Sequence, residues 1–170
     1  GFVILTVGRL TAPKAYDIAL QAMALLKKEG ISARWYVLGE GDQRAALEKQ
    51  RTELGLTDDF IFLGAVDNPY PYYRRCDLYV HATRYEGRSI AIQEAQTLGC
   101  AVLASDIPGN RGQIQDRIDG RLCRLAPKDI AAGIKELLKD KGQRERLGKA
   151  AAQRDYAYEA ELTQLLELIG

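Results

Sequence analysis

Cysteine, histidine and long apolar runs are all scarce in this sequence of 170 residues. Its three cysteines, Cys76, Cys100 and Cys123, are far apart along the chain, odd in number and without a CxxC pair. That pattern argues against a disulfide framework and against a zinc site, so we interpret them as reduced thiols of the core. No apolar run approaches the roughly 20 residues of a membrane helix, and the N-terminus lacks a signal-peptide pattern. These absences predict a cytoplasmic protein with no transmembrane segment in this chain.

Neither sign of charge is in excess, because 24 Lys and Arg residues face 23 Asp and Glu residues. A near balance gives no overall field that would attract nucleic acid or an anionic membrane, so any anion site must be built locally. The one histidine, His81, falls at a strand end, where a lone histidine is more often a hydrogen-bonded packing residue than a base. No Ser-His-Asp or Cys-His set can be assembled, which argues against hydrolase chemistry.

Short apolar or β-branched runs alternate with longer segments of helical period, which is typical of βα units in a parallel sheet. We therefore predict an α/β fold: a Rossmann-like, three-layer α/β/α domain with a six-stranded parallel sheet and a helical C-terminal tail. The length favours a single domain over residues 1–170. The predicted strands cover residues 2–7, 34–38, 60–63, 78–81, 101–104 and 120–123. The predicted helices cover residues 13–29, 43–54, 70–75, 90–98, 126–138, 142–151 and 156–169.

The segment that leaves the first predicted strand carries the first candidate site. It reads VGRLTAPK (residues 7–14), passes through Gly8, and enters a helix at Pro13, which suits the first helical position. Open α/β sheets bind ligands beyond the carboxyl ends of their strands, and a helix N-terminus favours an anion. Arg9 and Lys14 therefore form a candidate phosphate clamp. The alternative is that both are ordinary solvated surface charges, since Gly-rich nucleotide fingerprints are absent here.

A second candidate site follows the strand that ends near His81, in the segment TRYEGRSIAIQEA (residues 83–95). Its glycine permits close backbone approach, Ser89 can cap the helix, and the N–H groups of residues 87–90 can face a ligand. Glu86 precedes the helix and Glu94 lies in its second turn, so both can accept hydrogen bonds from hydroxyls of a sugar or ribose. Two acidic acceptors beside a phosphate clamp suit a nucleotide sugar. The alternative is that Glu86 caps its own helix and Glu94 is a surface acid.

At these segments the sequence resembles the retaining glycosyltransferases of group 1, also called family four, which have the GT-B fold. The similarity runs through VGRLTAPK, VLGEGDQRAALEKQRTELGL, FLGAVDN, YYRRCDLYVHATRYEGRSIAIQEAQTLGCAVLASDIPG and IDGRL, in the family's order. In that family this region is the C-terminal domain that binds the nucleotide-sugar donor, one half of the GT-B fold. The resemblance implies an N-terminal acceptor domain in the same parent chain, absent here. An abrupt start inside an apolar strand agrees with this expectation.

The resemblance also implies roles for single residues. The family's pyrophosphate-binding Arg and Lys fall on Arg9 and Lys14, and its paired glutamates fall on Glu86 and Glu94. Glu86 would then bind the hydroxyls of the donor sugar and Glu94 the ribose, with Arg9, Lys14 and Glu86 as the catalytic residues. Further donor contacts would come from Gly8, from Val66 in the loop that lines the nucleobase, and from Gly87, Arg88, Ser89 and Ile90.

Three positions depart from the family's usual pattern. Ala15 stands where a glycine normally follows the Lys, and Arg88 stands where an aromatic residue normally follows Glu-Gly. Arg88 either contacts the sugar phosphate or reaches solvent, and the sequence leaves both open. Gln113 stands where a Glu is common in the family, and we expect it to be structural.

The activity implied by the resemblance is transfer of a hexosyl group from a UDP- or GDP-linked sugar, without a cofactor or metal ion. The acceptor would be a saccharide or a lipid-linked molecule, in synthesis of cell-surface polysaccharide or glycolipid, and any membrane contact would be made through the N-terminal domain. The isolated domain is expected to be inactive alone, because two domains must close over the cleft. The alternatives are a half-domain of a sugar-nucleotide epimerase and a non-catalytic nucleotide-binding module.

Overall fold

The computed structural model describes residues 1–154, Tyr156, Glu167 and Leu168. Strands alternate with helices up to β6, apart from a 3-10 turn at Ala12–Lys14, and two helices follow β6. The strands are β1 (Phe2–Val7), β2 (Ala33–Leu38), β3 (Phe60–Gly64), β4 (Leu78–His81), β5 (Val102–Ser105) and β6 (Arg121–Cys123). The helices are α1 (Tyr16–Lys28), α2 (Arg44–Glu53), α3 (Tyr70–Arg75), α4 (Ile90–Thr97), α5 (Pro108–Arg111), α6 (Pro127–Lys139) and α7 (Lys141–Ala152).

The six strands form one sheet in the order β3-β2-β1-β4-β5-β6, and every neighbouring pair is parallel. From β1 the chain adds β2 and β3 on one side, and it then returns to add β4, β5 and β6 on the other side. This reversal between β1 and β4 is the topological switch point of a doubly wound fold. The predicted α/β class, the parallel sheet and its six strands are confirmed.

Alternate residues of the central strands supply two separate cores, one on each face of the sheet. Helices α1 and α6 cover one face, where Ile4, Trp35 and Leu103 are buried. Helices α3 and α4 contribute to the other face, where Leu5, Tyr79 and Val102 are buried. Because neighbouring strand residues point to opposite faces, strands covered on both sides are apolar throughout, and this explains the continuous apolar runs in the sequence.

The predicted helix at residues 13–29 is wrong at its start. The 3-10 turn ends at Lys14, Ala15 adopts the left-handed conformation with φ of 52°, and α1 begins at Tyr16. Lys14 therefore ends a short turn instead of occupying the first turn of a helix. The left-handed Ala15 stands where relatives of the resembled family usually have glycine, a residue that adopts this conformation without a steric penalty.

Other differences from the predicted elements are small. Helix α5, only four residues long, was not predicted, because Pro108 and Gly109 read as a loop. After β6 the chain is helical in α6 and α7, as predicted, while the predicted helix at residues 156–169 lies largely outside the described residues. Among the helices that the structure describes, none has both the length and the apolar character to cross a membrane.

Two of the cysteines that are distant in sequence are neighbours in space. The sulfur atoms of Cys76 and Cys100 are 3.9 Å apart although the residues are separated by 24 positions. Both thiols donate to the carbonyl of Tyr73, over 3.3 Å and 3.1 Å. All three cysteines are free thiols, in agreement with the sequence interpretation, but their proximity depends on the pairing of strand β5 with β4.

Candidate functional site

The candidate site lies at the switch point, where the carboxyl ends of β1 and β4 are adjacent. Val7 ends β1 and His81 ends β4, and the two predicted site segments are the loops that follow them. Residues 8–15 lead from β1 into α1, and residues 82–89 lead from β4 into α4. A crevice between such loops is where open α/β sheets bind their ligands.

Gly8, the residue after β1, is hydrogen-bonded to α1 and to β2. The Gly8 carbonyl accepts a hydrogen bond of 2.9 Å from the buried hydroxyl of Tyr16, and the Gly8 N–H donates over 2.9 Å to the carbonyl of Leu38. A β-carbon at Gly8 would lie 3.2 Å from the Tyr16 hydroxyl and 3.8 Å from the Lys14 stem. A larger residue at position 8 would therefore press on the Tyr16 hydroxyl, while its distance to Lys14 would be an ordinary contact.

Lys14, Glu86 and His81 form one hydrogen-bonded group across the crevice. The Lys14 ammonium lies 2.7 Å from Oε2 of Glu86, and Nε2 of His81 lies 3.0 Å from the same oxygen. The Glu86 side chain is 15% exposed and that of His81 only 1%. Lys14 is thus not a freely solvated charge, and Glu86 does not cap its own helix.

Glu86 and His81 both have shifted pKa values. The hydrogen bond from His81 and, after it, the contact with Lys14 lower the pKa of Glu86 to about 2, although partial burial opposes the shift. Burial lowers the pKa of His81 below its usual value, and the contact with Glu86 offsets this only in part. At neutral pH the site therefore contains an ionised Glu86 beside a neutral imidazole.

Arg84 ties the two loops together, a role that sequence reasoning missed. Its N–H donates over 2.8 Å to the Pro13 carbonyl, and its guanidinium donates to the Ala12 carbonyl and, over 2.8 Å, to a carboxylate oxygen of Asp17. These bonds join the 3-10 turn and the start of α1 to the loop after β4. Lys14, which ends that turn, is thereby brought near Glu86. The Arg next to Tyr-Glu-Gly in the sequence was visible, but nothing local indicated its partners.

The start of α4 is held by Ser89 and Gln113. The Ser89 hydroxyl accepts a hydrogen bond of 3.1 Å from the Ile92 N–H, as predicted for a helix cap. The side-chain amide of Gln113 accepts from the Ser89 N–H over 2.7 Å and donates to the Ser89 carbonyl over 2.9 Å. The expectation that Gln113 is structural is confirmed. The expectation that residues 87–90 all offer free N–H groups is wrong for Ser89, whereas Gly87 and Ile90 make no hydrogen bond through theirs within the described residues.

A second opening lies beside the Lys14 group, beyond the ends of β1, β2 and β3. It is a cavity of about 410 Å³ whose lining includes Gly8, Arg9, Glu40, Val66 and Pro69. Arg9 is exposed and forms no ion pair with any described residue. The structure thus places Arg9 and Val66 on one cavity that adjoins Gly8.

Glu94 and Arg88 are less closely connected to the Lys14 group. Glu94 is half-buried on α4, close to the Tyr73 hydroxyl, whose pKa is raised by burial and then by the charge of Glu94. Arg88 is exposed, and its guanidinium lies 5.1 Å from the ring centre of Tyr156. Neither side chain is hydrogen-bonded to Lys14, Glu86 or His81 within the described chain.

Gly109 is a further site residue that sequence reasoning missed. A β-carbon at this position would lie 1.8 Å from the Glu86 carbonyl oxygen and 2.7 Å from that of Gly87. The start of helix α5 therefore packs directly on the backbone that carries Glu86. The sequence signal was the Pro-Gly pair before position 110, which indicates a turn but not what the turn contacts.

The doubly wound sheet and the polar crevice at its switch point define a Rossmann-like domain of the kind that binds nucleotides. The family described as Glycosyl transferases group 1 matches residues 1–154, and the chain belongs to that family. The resemblance stated from the sequence is confirmed.

Two of the curated relatives carry names that specify the transferred sugar. The N-acetylgalactosamine-N,N'-diacetylbacillosaminyl-diphospho-undecaprenol 4-alpha-N-acetylgalactosaminyltransferase of Campylobacter jejuni is 30% identical over 92% of this chain and 42% of its own length. The alpha-D-kanosaminyltransferase of Streptomyces kanamyceticus is 29% identical over 88% of this chain and 40% of its own length. The chain therefore spans about two fifths of the length of these relatives.

Solved structures share the fold. The C-terminal domain of LpcC, a group 1 family protein from Francisella tularensis, superposes with a TM-score of 0.78 at 26% identity, covering 89% of this chain and 82% of that one. HepE from Anabaena, in complex with UDP, superposes with a TM-score of 0.88 at 22% identity, covering 99% of this chain and 48% of that one. The predicted half of a GT-B fold is in agreement with both.

Proposed function

We propose that this chain is the donor-binding C-terminal half of a retaining, metal-independent glycosyltransferase that takes a nucleotide-diphospho-sugar as its donor. The observation that carries the proposal is the meeting of Lys14 and His81 on one oxygen of Glu86, at the switch point of the sheet. This arrangement sets a cation and an ionised acceptor side by side in the crevice. A sugar diphosphate has the complementary groups, since its phosphates are anionic and its hydroxyls donate.

The diphosphate would be bound by Lys14, Arg9 and the start of α4. An ammonium has three N–H donors, and only one of those on Lys14 is taken by Glu86, which leaves two for a phosphate oxygen. Arg9 and the N–H groups of Gly87 and Ile90 add donors without partners in the described chain. Such groups stabilise the charge that develops on the leaving diphosphate, which is the role of a divalent ion in other enzymes.

The sugar would be bound by Glu86 and the nucleoside by the neighbouring cavity. Lys14 and His81 both bind Oε2 of Glu86, and Oε1 has no hydrogen bond within the described residues, so it can accept from a sugar hydroxyl. Val66 and Arg9 line the cavity that we assign to the nucleobase, and we assign Glu94 to the ribose. The UDP in the HepE structure makes UDP the first nucleotide to test and GDP the second.

The acceptor site would lie in an N-terminal domain of the same parent chain. The chain covers about two fifths of its curated relatives but most of the LpcC C-terminal domain, as expected for one half of a two-domain enzyme. The diphospho-undecaprenol acceptor of the Campylobacter relative supports a lipid-linked or saccharide acceptor in surface polysaccharide or glycolipid synthesis. We place the reaction in the cytoplasm, with any membrane contact made by the N-terminal domain.

Calorimetric titration of the chain with UDP, GDP, ADP, UDP-glucose, UDP-N-acetylglucosamine and GDP-mannose tests the donor site. We expect saturable binding of one nucleotide series, weakened at least about tenfold by Lys14→Met, the size of a lost hydrogen bond to a charged group. Lys28→Met, which removes an exposed lysine at the end of α1, is the matched control and leaves binding unchanged.

Two results would contradict the proposal. One is that no nucleotide binds either to the folded chain or to the parent protein. The other is that the parent protein changes the configuration of a UDP-sugar in the absence of any acceptor, because this product identifies an epimerase.

A further inference from the structure

His81 is held on its inner side by a second buried ring. Its Nδ1 lies 3.1 Å from the hydroxyl of Tyr79, and the two rings are stacked with their centres 5.9 Å apart. Tyr79 is itself fully buried, and the backbone N–H of Val7 donates to its hydroxyl over 3.3 Å. The imidazole is therefore fixed from β1 and β4, the two strands that flank the crevice.

The contacts of His81 select one tautomer of the neutral ring. An ionised carboxylate only accepts hydrogen bonds, so the contact of 3.0 Å with Glu86 requires the proton to be on Nε2. Nδ1 then accepts from the hydroxyl of Tyr79, for whose single proton the Val7 carbonyl, also 3.1 Å away, is the alternative acceptor. With this tautomer the Tyr79 proton is directed to His81 and not to the Val7 carbonyl, the Val7 N–H donates to the Tyr79 oxygen, and His81 donates to Glu86.

We propose that His81 is a positioning residue for the donor sugar: it holds Oε2 of Glu86 so that Oε1 is presented to a sugar hydroxyl. This inference rests on the proposed donor site. Lys14 also holds Oε2, but it divides its N–H donors between Glu86 and the proposed diphosphate. His81 has no such second task, because it is 1% exposed and both its ring nitrogens are already in use.

A neutral donor suits this task better than a second cation would. The imidazole N–H keeps Glu86 ionised and oriented, yet it adds no positive charge that would bind the carboxylate in competition with a sugar hydroxyl. Position 81 also requires a side chain whose hydrogen-bond donor lies at a fixed distance from the backbone of β4. Glutamine keeps an N–H donor, whereas leucine fills a similar volume without one.

The first test compares the affinities of UDP, UDP-glucose and UDP-N-acetylglucosamine for the chain and its variants. For the sugar conjugate that wild type binds best, we expect His81→Leu to weaken binding about tenfold while UDP alone changes by less than about twofold. His81→Gln is expected to restore most of the loss. Ile134→Val, a core substitution in α6 on the opposite face of the sheet from Tyr79, leaves both affinities unchanged.

Parallel weakening of UDP and of the UDP-sugar would overturn the proposal, because a general structural defect acts on both ligands. An unchanged affinity of His81→Leu for the UDP-sugar would overturn it as well. A shared unfolding transition of wild type and variants in urea establishes that the comparison is made between folded proteins.

The second test needs no donor and so separates this inference from the proposed function. His81 is the only histidine, so the ¹⁵N signals of one imidazole are assigned without ambiguity. At pH 7 we expect the ¹⁵N chemical shifts of a neutral ring that carries its proton on Nε2. These chemical shifts should change in Glu86→Gln and stay the same in Lys28→Met. A ring protonated on Nδ1, or one insensitive to Glu86→Gln, would refute the positioning role even if nucleotides bind.

Discussion

At the scale of single residues, the charge of Glu86 is maintained by two donors of different kinds. His81 donates from a neutral ring and Lys14 from a cation, and together they lower the pKa of Glu86 to about 2. The low pKa means that folding favours the ionised carboxylate, so this group stabilises the fold only while it is ionised. The hydrogen bonds from His81 and Lys14 that hold Glu86 ready for a sugar hydroxyl therefore also stabilise the folded protein.

Acid should destabilise the protein in two successive pH windows. The pKa of His81 is lowered in the fold, so the unfolded chain binds its proton first, and stability falls as the pH drops below the usual histidine value of 6.5. The contribution of Glu86 is complete above its usual value of 4.5 and is lost as the pH falls from there towards about 2. Urea unfolding between pH 7 and pH 3 measures both.

Two substitutions show which residue causes the loss of stability in each pH range. His81→Gln should lack the loss that begins below 6.5, and Glu86→Gln should lack the additional loss below 4.5. Parallel stability curves for wild type and Glu86→Gln over the whole range would show that the carboxylate contributes nothing that depends on its charge.

The left-handed Ala15 is a local cost that a single substitution can remove. An L-residue with a β-carbon is strained by about 1–2 kcal/mol at φ of 52°, and glycine is not. Part of this gain is offset because glycine has more freedom in the unfolded chain. We expect Ala15→Gly to raise the free energy of unfolding by roughly 0.5–1 kcal/mol, measured by urea denaturation. Ala22→Gly, in the middle of α1, is the comparison and should lower it by about as much.

At the scale of elements, the site depends on loops that contact one another through glycines. Gly39 has a φ of 150°, and a β-carbon there would lie 2.0 Å from the Gly8 carbonyl oxygen, so the loop after β2 touches the loop after β1. Gly109 makes the corresponding contact between the start of α5 and the backbone of Glu86. Substitution of either glycine therefore displaces a neighbouring loop as well as its own.

Gly109→Ala tests this coupling where backbone strain plays no part, because the φ of Gly109 is not positive. The added methyl group would overlap the Glu86 carbonyl, so we expect a stability loss of about 1–3 kcal/mol and a weaker UDP-sugar affinity. Gly112→Ala is the matched control at the end of the same helix, since its β-carbon would meet only an ordinary contact of 3.4 Å. Equal behaviour of the two variants in unfolding and titration would argue against the contact.

At the scale of the whole molecule, donor binding and catalytic turnover are expected to need different parts of the protein. The chain carries the proposed donor site, but transfer also requires an acceptor and the exclusion of water by a second domain. The chain should bind a nucleotide sugar and transfer nothing. In the parent protein, Arg9→Ala and Lys14→Met should each lower turnover by at least about 10², since each removes charge that stabilises the leaving diphosphate.

Assays of radiolabelled sugar transfer in the parent protein measure this effect, with Lys28→Met as the control. Near-normal turnover in both Arg9→Ala and Lys14→Met would refute the assigned phosphate clamp. Transfer by the 170-residue chain alone would show that the acceptor site does not need a second domain.

The sequence by itself determined the architecture and the loops in which the site lies. Apolar periodicity is a local property, so it predicted the parallel α/β sheet, and every strand falls within a residue or two of its predicted bounds. The position of a loop after a strand is also local, and it placed Gly8, Lys14 and Glu86 at one edge of the sheet. Two local predictions failed, the start of the first helix and the absence of helix α5. Composition indicates neither the left-handed backbone of Ala15 nor a helix of four residues.

Only the tertiary structure decided which of these residues touch. Lys14 and Glu86 are 72 positions apart, and their contact exists because β1 pairs with β4 and because Arg84 draws the two loops together. The part played by His81 has the same origin, since its identity as a packing residue was predictable but its hydrogen bonds to Tyr79 and Glu86 were not. Distances between side chains on different loops follow from long-range packing, and no local pattern of residues encodes them.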